Sequence, residues 1–275
     1  MLAACVACSR VETPKVTPVI TNLKVSADGL SLPLLQALTT AYSDLHPTTI
    51  FTVQSASSQS AVDALYAGQA DIVGVSLLPA VAPGQTAPWV SDLAGDGVVA
   101  IVHPDNPVDN LQLGEVRGLF AGVRTSWTEF GVGATSSVGQ GDIDVGVREE
   151  GDGTRVIFDE RVMDSLRLGL SCIVLPSVEV AMNFVAYQPN AIAYVPRSRI
   201  TDTVTPAVKM IGIDGVMPTP ANIAGGKYKL SRTLNLLAVS EPQGELRQFV
   251  AWALGKEGQA IVSAMNYVAL TQAQP

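Results

Sequence analysis

Apolar and polar residues along the first third of the chain form short blocks that predict strands and helices in turn. A strand at residues 23–25 precedes a helix that Pro33 opens and whose apolar face carries Leu34, Leu35, Leu38, Tyr42 and Leu45. Strands follow at residues 50–53 and 71–75, with a short helix between them. This alternation predicts a parallel sheet with crossover helices, in which ligand loops gather at the carboxyl ends of the strands.

The second half of the chain repeats this alternation after a long apolar strand at residues 98–102, which indicates a crossing into a second lobe. A short helix at residues 113–120 and a strand at residues 191–195 belong to that lobe. An apolar strand at residues 234–239 predicts a return crossing. Two amphipathic helices end the chain, at residues 244–254 and 257–265.

The stretch from Arg148 to Thr154 lies where a strand at residues 143–147 turns into a helix. Gly151 and Gly153 let the backbone approach a bound group without interference from a Cβ, and Thr154 can cap the helix. The unpaired N–H groups and the dipole at a helix start favour an anion, and Arg148 adds a planar fork of donors. The stretch therefore predicts an anion cradle. The alternative is an ordinary glycine-bearing loop with a solvated arginine.

Composition narrows the function classes. The net charge of −8 argues against a nucleic-acid partner, because phosphate backbones attract basic surfaces. An anion site in this chain must work through local hydrogen bonds and dipoles against the overall field. The two histidines lie far apart in sequence, so we expect no metal site and no cofactor. No run of about 18 or more apolar residues occurs, so we expect no transmembrane helix.

The anion cradle is one of six motifs that follow one another along the chain. They lie at residues 100–108 (AIVHPDNPV), 148–154 (REEGDGT), 190–194 (NAIAY), 213–216 (IDGV), 228–232 (YKLSR) and 257–260 (EGQA). Together they resemble the phosphate-binding proteins of bacterial ABC phosphate importers. The resemblance implies a type II periplasmic-binding-protein fold: an α/β protein of two lobes, each a mainly parallel sheet flanked by helices, with the ligand cleft between them. The expected divisions are a leader remnant and tether (1–18), lobe 1 (19–97 and 227–275) and lobe 2 (98–226).

Carried over residue by residue, the resemblance implies ligand contacts at Leu30, Ser58, Ser76, Arg148, Asp152, Gly153 and Thr154. The contact at Leu30 is its backbone N–H. The chain also departs from the family pattern. Where many members have an aspartate, or a serine followed by an arginine, this chain has Ser76 followed by Leu77. Asp152 replaces the serine between the two glycines. The family's first loop usually holds glycine and hydroxyl residues, whereas this chain has Asp28 there.

Asp152 is the departure with the largest electrostatic consequence. A carboxylate about 4 Å from a like charge costs about 4 kcal/mol at an effective dielectric constant of about 20, more than the ~1.5–3 kcal/mol of a charged hydrogen bond. One interpretation is that a protonated oxyanion donates its proton to Asp152. A second is that Asp152 turns away and caps its own helix. A third is that the ligand is not phosphate and that Asp152 and Asp28 help to exclude it.

The resemblance also implies location and partners. We expect an exported, extracytoplasmic protein that captures phosphate or a related oxyanion for the permease subunits of an ABC importer. Residues 2–5 (LAAC) resemble a bacterial lipobox, so we expect a lipid anchor on Cys5 that attaches the chain to a membrane. We expect no enzymatic activity. The sequence has no nucleophile elbow, and it has no His or Cys near the cradle that could activate a hydroxyl group. The alternatives are a phosphate sensor and a phosphate-ester hydrolase.

Overall fold

A computed structural model describes residues 19–82, 84–133, 138, 141–201 and 207–270 of the chain. The expected tether and the expected lipid anchor at Cys5 lie outside the described residues. Within those residues, every helix is too short or too polar to cross a lipid bilayer.

Strands and helices alternate through the described part of the chain, as the sequence pattern predicts. The strands are β1 (Thr21–Ala27), β2 (Thr49–Ser55), β3 (Ile72–Val75), β4 (Trp89–Val102), β5 (Asn110–Leu111), β6 (Asp144–Arg148), β7 (Ile173–Leu175), β8 (Ala191–Pro196), β9 (Lys209–Met210), β10 (Gly212–Ile213) and β11 (Ser231–Ala238). The helices are α1 (Leu32–Leu45), α2 (Ser58–Tyr66), α3 (Leu113–Phe120), α4 (Gly153–Phe158), α5 (Val178–Tyr187), α6 (Pro220–Ala224), α7 (Gly244–Leu254) and α8 (Lys256–Ala264).

Helix α1 shows how the apolar pattern becomes packing. A proline lies in its first turn. The N–H groups of a first turn have no partner within the helix, so a residue without an N–H costs no helical hydrogen bond there. Four residues of the predicted apolar face are buried, namely Leu34, Leu35, Leu38 and Tyr42. The fifth, Leu45, is 62% exposed, so burial of the apolar face ends before this residue. It is the last residue of the helix, where the chain turns towards β2.

One curved sheet connects the two halves of the molecule, with the strand order β2-β1-β3-β11-β4-β8-β6-β7 and with β9 beside β4. The pairs of β1 with β2 and β3, and of β6 with β7 and β8, are parallel. The long strand β4 runs antiparallel to β11 in its first part and to β8 from Val98 onwards. The change of partner falls between Gly97 and Val98. The lobe limits given above stay a prediction.

A buried ion pair joins β4 to β11 beside the point at which β4 changes partner. Arg232 of β11 donates from Nη2 to Asp96 Oδ2 of β4 at 3.0 Å, and both side chains are 1% exposed. Asp96 also accepts hydrogen bonds from the backbone N–H and the hydroxyl of Ser198. These bonds give a buried carboxylate the partners that it needs. Arg232 thus has a structural role at the crossing.

The apolar run at residues 170–175 is less buried than its composition suggests. Leu170 is fully exposed, Cys172 is half-buried, and Ile173 and Val174 are 43% and 58% exposed. From the sequence, Cys172 in this apolar run is interpreted as a small buried residue, and the structure shows that interpretation to be wrong. The reason is the position of β7 at the edge of the sheet, where β6 is its one strand neighbour within the described chain.

Candidate functional site

The candidate site lies where loops from both halves of the sheet meet. Three loops follow the carboxyl ends of β1, β2 and β3 and carry Leu30, Ser58 and Ser76. The stretch from Arg148 to Thr154 follows the carboxyl end of β6 and leads into α4. All of these loops therefore occupy the position at which open α/β sheets bind ligands.

The predicted strand-to-helix turn is present. Gly151 has φ = 84°, in the left-handed region that glycine adopts without strain. The helix cap is Asp152, not Thr154: Asp152 Oδ1 accepts hydrogen bonds from the backbone N–H groups of Thr154 at 2.9 Å and Arg155 at 3.2 Å. Arg155 also donates from Nη1 to the backbone carbonyl of Arg148 at 2.9 Å. These bonds hold both ends of the turn.

Arg148 lies inside this turn and is 6% exposed. Its Nη1 donates to the backbone carbonyl of Leu175 at 2.5 Å, and its Nη2 donates to Asp152 Oδ2 at 2.9 Å. Asp152 therefore bonds the helix start with one oxygen and the guanidinium with the other. Of the orientations considered from the sequence, this structure has the one in which Asp152 caps its own helix.

Asp28 connects the three loops of the first half. Its Oδ2 accepts hydrogen bonds from Ser58 Oγ at 2.7 Å and from the N–H and Oγ of Ser76 at 2.6 and 2.7 Å. Its Oδ1 accepts from the N–H groups of Leu30 at 3.2 Å and Ser31 at 2.9 Å. Burial raises the pKa of Asp28, but these hydrogen bonds outweigh it and hold the pKa below its usual value. Asp28 is therefore a charged, buried carboxylate.

Sequence reasoning named Asp28 only as a departure from a family pattern and as a possible excluding charge. The hydrogen-bond partners of Asp28 include residues 30 and 48 positions further along the chain. No local spacing in the sequence connects them. A buried acid between strand β1 and a helix start, followed by hydroxyl-rich loops after β2 and β3, is the signal from which this network could have been proposed.

The two halves touch at Gly153. A Cβ built on this glycine would lie 2.7 Å from Leu30 Cδ1 and 3.5 Å from Ser76 Oγ. The structure thus brings Leu30 and Ser76 of one half against Gly153 of the other. Ser58 joins the same cluster through its bond to Asp28. All seven predicted contact residues lie in or beside this cluster.

A cavity of about 240 Å³ opens beside this contact and is lined by Leu30, Arg148, Asp152 and Thr154. Ser177, Glu179, Ser198, Arg199 and Tyr267 also line it. Two buried polar atoms of the lining residues have no hydrogen-bond partner within the described structure, Arg148 Nε and Thr154 Oγ1. Buried polar groups are normally paired, so these atoms are available to a bound polar group.

Other depressions on the described surface are as large or larger, but the cradle does not line them. One of about 330 Å³ lies beside Arg232, and one of about 460 Å³ lies along α1 and β2. The described residues also contain no cluster of His, Cys, Asp and Glu that could hold a metal ion. The lining of the 240 Å³ cavity thus combines hydrogen-bond donors and two arginines, Arg148 and Arg199, with the carboxylates of Asp152 and Glu179.

Comparison with known proteins assigns the family. The family model for the PBP superfamily domain matches residues 12–257 of the chain. The chain belongs to the PBP superfamily. A member with similar sequence is the phosphate-binding protein PstS of Bacillus subtilis, which is 25% identical over 253 residues, 91% of this chain and 81% of that protein. The phosphate-binding protein PstS of Pseudomonas aeruginosa is 26% identical over 94% of this chain and 86% of its own length.

Solved structures agree with membership of the PBP superfamily. An ABC-type phosphate transport receptor from Vibrio cholerae is similar, with a TM-score of 0.77 and 25% identity, over 90% of this chain and 99% of that one. The expected α/β fold with two lobes is therefore confirmed. The resemblance to phosphate-binding proteins, drawn from the order of the motifs, is confirmed as well.

Proposed function

We propose that this protein is an extracytoplasmic solute-binding protein that captures an inorganic oxyanion, phosphate first among them, for an ABC importer. The observation that carries the proposal is the pair of buried, unpartnered donors, Arg148 Nε and Thr154 Oγ1, on two residues that line one cavity beside the contact of the halves. The names of the similar proteins support phosphate as the ligand and an importer as the partner.

The ligand contacts that we propose follow from this geometry. Arg148 and Thr154 donate to the oxyanion from one half, and Gly153 allows the backbone to come close because no Cβ intervenes. The N–H of Leu30 and the hydroxyl groups of Ser58 and Ser76 lie on the other half, which closes over the ligand, but Asp28 already accepts hydrogen bonds from all three groups. Binding of this kind requires no catalyst, so we propose no enzymatic activity.

Asp152 gives the proposed site a preference for a protonated oxyanion. It lines the cavity. Its Oδ1 accepts two N–H groups of the helix start, and its Oδ2 accepts one bond from Arg148, so Oδ2 keeps a lone pair that can accept a ligand proton. A fully deprotonated dianion meets repulsion there, which sulfate cannot relieve because it carries no proton at neutral pH.

Calorimetric titration with phosphate, arsenate, molybdate and sulfate tests both the function and this preference. We expect phosphate to bind more tightly at about pH 6 than at about pH 8, because inorganic phosphate is mostly the singly charged, protonated form at the lower pH and mostly the dianion at the higher. Sulfate should not bind measurably. Equal phosphate affinity at the two pH values would show that Asp152 does not accept a proton from the ligand and serves only as a helix cap.

Arg148→Ala tests the location of the site. We expect it to weaken phosphate binding by ~1.5–3 kcal/mol, the usual contribution of a hydrogen bond to a charged group. The matched control is Arg167→Ala, which removes the same charge from an exposed position in the same half of the molecule. Thermal unfolding of both variants checks that they are folded. Unchanged affinity in folded Arg148→Ala would show that the ligand binds elsewhere.

Export and anchoring extend the proposal to the amino-terminal residues. We propose that Cys5 carries a lipid that attaches the protein to the outer face of a membrane. Support comes from the lipobox-like residues 2–5 and from the tether composition of residues 9–18. Metabolic labelling with a fatty acid in a bacterial host that expresses the natural gene, with Cys5→Ser as the control, is the test. Labelling of both proteins, or of neither, would contradict the proposal.

A further inference from the structure

The hydrogen-bond donors on the first half of the cleft are already engaged by a carboxylate of the chain itself. Asp28 Oδ2 holds Ser58 Oγ together with the N–H and Oγ of Ser76, and Asp28 Oδ1 holds the N–H of Leu30. These are the donors of that half which an incoming oxyanion would need. Asp28 is 4% exposed, so solvent has little access to its two oxygens.

Two of the residues whose donors bond Asp28 lie against the second half. Ser76 Oγ lies 3.5 Å from the Cβ position of Gly153, and the Leu30 side chain packs on the same glycine. A carboxylate presents two oxygens and one negative charge, which makes it a small anion attached to the chain. Because it is covalently tethered, its effective concentration at these donors exceeds that of a free anion in solution.

We propose that Asp28 is an internal anion that occupies the first half of the oxyanion site and determines its specificity. It competes with the ligand for Ser58, Ser76 and the N–H of Leu30, and it thereby weakens the binding of phosphate. This inference rests on the proposed function. Removal of the carboxylate should therefore strengthen binding, although it removes hydrogen bonds from the protein.

The charge of Asp28 also limits the class of ligand. With the first half engaged, the unpartnered Arg148 Nε and Thr154 Oγ1 of the second half carry the ligand. A ligand in their cavity meets the charge of Asp152 there and that of Asp28 across the contact. Repulsion grows in proportion to the charge of the ligand, so the site favours a monoanionic tetrahedral oxyanion over a dianionic one.

The test is calorimetric titration of inorganic phosphate into the full chain and three variants. Asp28→Ser removes the carboxylate and frees its donors, and Asp28→Asn removes the charge at nearly constant size. The control is Asp71→Asn, since Asp71 is exposed, accepts a hydrogen bond from the Lys24 N–H at 2.7 Å and lies at the other end of β3 from Ser76. We expect about ten-fold tighter binding in both Asp28 variants and a change under about two-fold in the control.

Two contrary outcomes have different meanings. If the wild type binds phosphate and folded Asp28→Ser binds it no more tightly, Asp28 is a structural link between loops and the inference fails alone. If the wild type and all variants bind none of phosphate, arsenate, molybdate and sulfate, the proposed function fails together with the inference. Phosphate binding by Asp28→Ser but not by the wild type would support both.

A second measurement applies if neither Asp28 variant folds, as thermal unfolding would reveal. A crystal structure of the wild type with phosphate should then show Asp28 still bonded to Ser58 and Ser76 while phosphate contacts Arg148 and Thr154. Phosphate bonded to Ser58 and Ser76, with the Asp28 carboxylate turned away, would overturn the inference.

Discussion

At the scale of single residues, two aspartates determine the electrostatics of the cleft. Asp152 bonds the start of α4 and Arg148, and Asp28 bonds three loops of the other half. Each carboxylate neutralises or engages donors that an oxyanion would use. In this chain, some donors of an anion-binding site therefore already form hydrogen bonds with the protein's own carboxylates before a ligand binds.

The charge of Asp28 makes the stability of the fold depend on pH. Because its pKa is lower in the folded protein than its usual value of 3.8, the carboxylate stabilises the fold above about pH 4, and this contribution is lost as the pH falls through the folded pKa. We expect the difference in unfolding free energy between wild type and Asp28→Asn to shrink from about pH 6 to about pH 3. Urea unfolding at both pH values measures it. A constant difference would contradict the role of the charged form.

The position of Asp152 in the site could be predicted from the sequence, whereas only part of the role of Asp28 could. Asp152 lies within a seven-residue motif, so local reasoning reached it and both of its orientations. Asp28 acquires its role from Ser58 and Ser76, which only the folding of three separate loops brings near. Contacts over such sequence distances are set by the topology of the sheet, which local patterns do not specify.

At the scale of elements, periodic helices could be predicted closely and strand β4 could not. Helices α3 and α7 have the expected bounds, because their apolar residues recur at helical spacing. The expected strand at residues 98–102 is only the last part of β4, which begins at Trp89. Its first part contains Asp92, Gly95, Asp96 and Gly97, residues that disfavour a strand until β11 pairs with it.

Helices α7 and α8 depend on a close backbone contact at Gly258. A Cβ on this residue would lie 2.3 Å from the carbonyl oxygen and 2.5 Å from the Cα of Ala253. We expect Gly258→Ala to destabilise the protein by ~1–3 kcal/mol, the usual cost of overpacking, in urea unfolding. The control is Gly114→Ala in α3, where nothing lies within 4 Å of the new Cβ. It should stabilise by ~0.5–1 kcal/mol, since alanine favours helices. Equal effects of the two variants would contradict this packing argument.

At the scale of the whole molecule, the contact of Leu30 with Gly153 limits how closely the halves approach. The fold class could be predicted because the order of strands and helices determines it. The surface on which the halves meet could not, because it depends on the shapes of side chains from distant loops. In this structure a leucine of one half packs where the other half has no Cβ.

Enlarging Gly153 should therefore hold the halves apart. We expect Gly153→Val to weaken phosphate binding by ~1–3 kcal/mol through overpacking, and to keep the radius of gyration from falling when phosphate is added. Small-angle scattering measures the radius. Adding Leu30→Ala to the Gly153→Val variant should restore closure, because it removes the side chain that clashes with the valine. No rescue by Leu30→Ala would mean that the valine acts on the cradle itself.

Strand β4 has a consequence for how the protein could be divided. It extends about 45 Å as one hydrogen-bonded strand, with its first part in the sheet of one half and its last part in that of the other. A cut on either side of it would leave one fragment with the strand unpaired along part of its length and the other fragment without a central strand. Unpaired strand edges promote aggregation, so neither fragment is suited to stand alone as a phosphate probe or as a module for fusion to another protein.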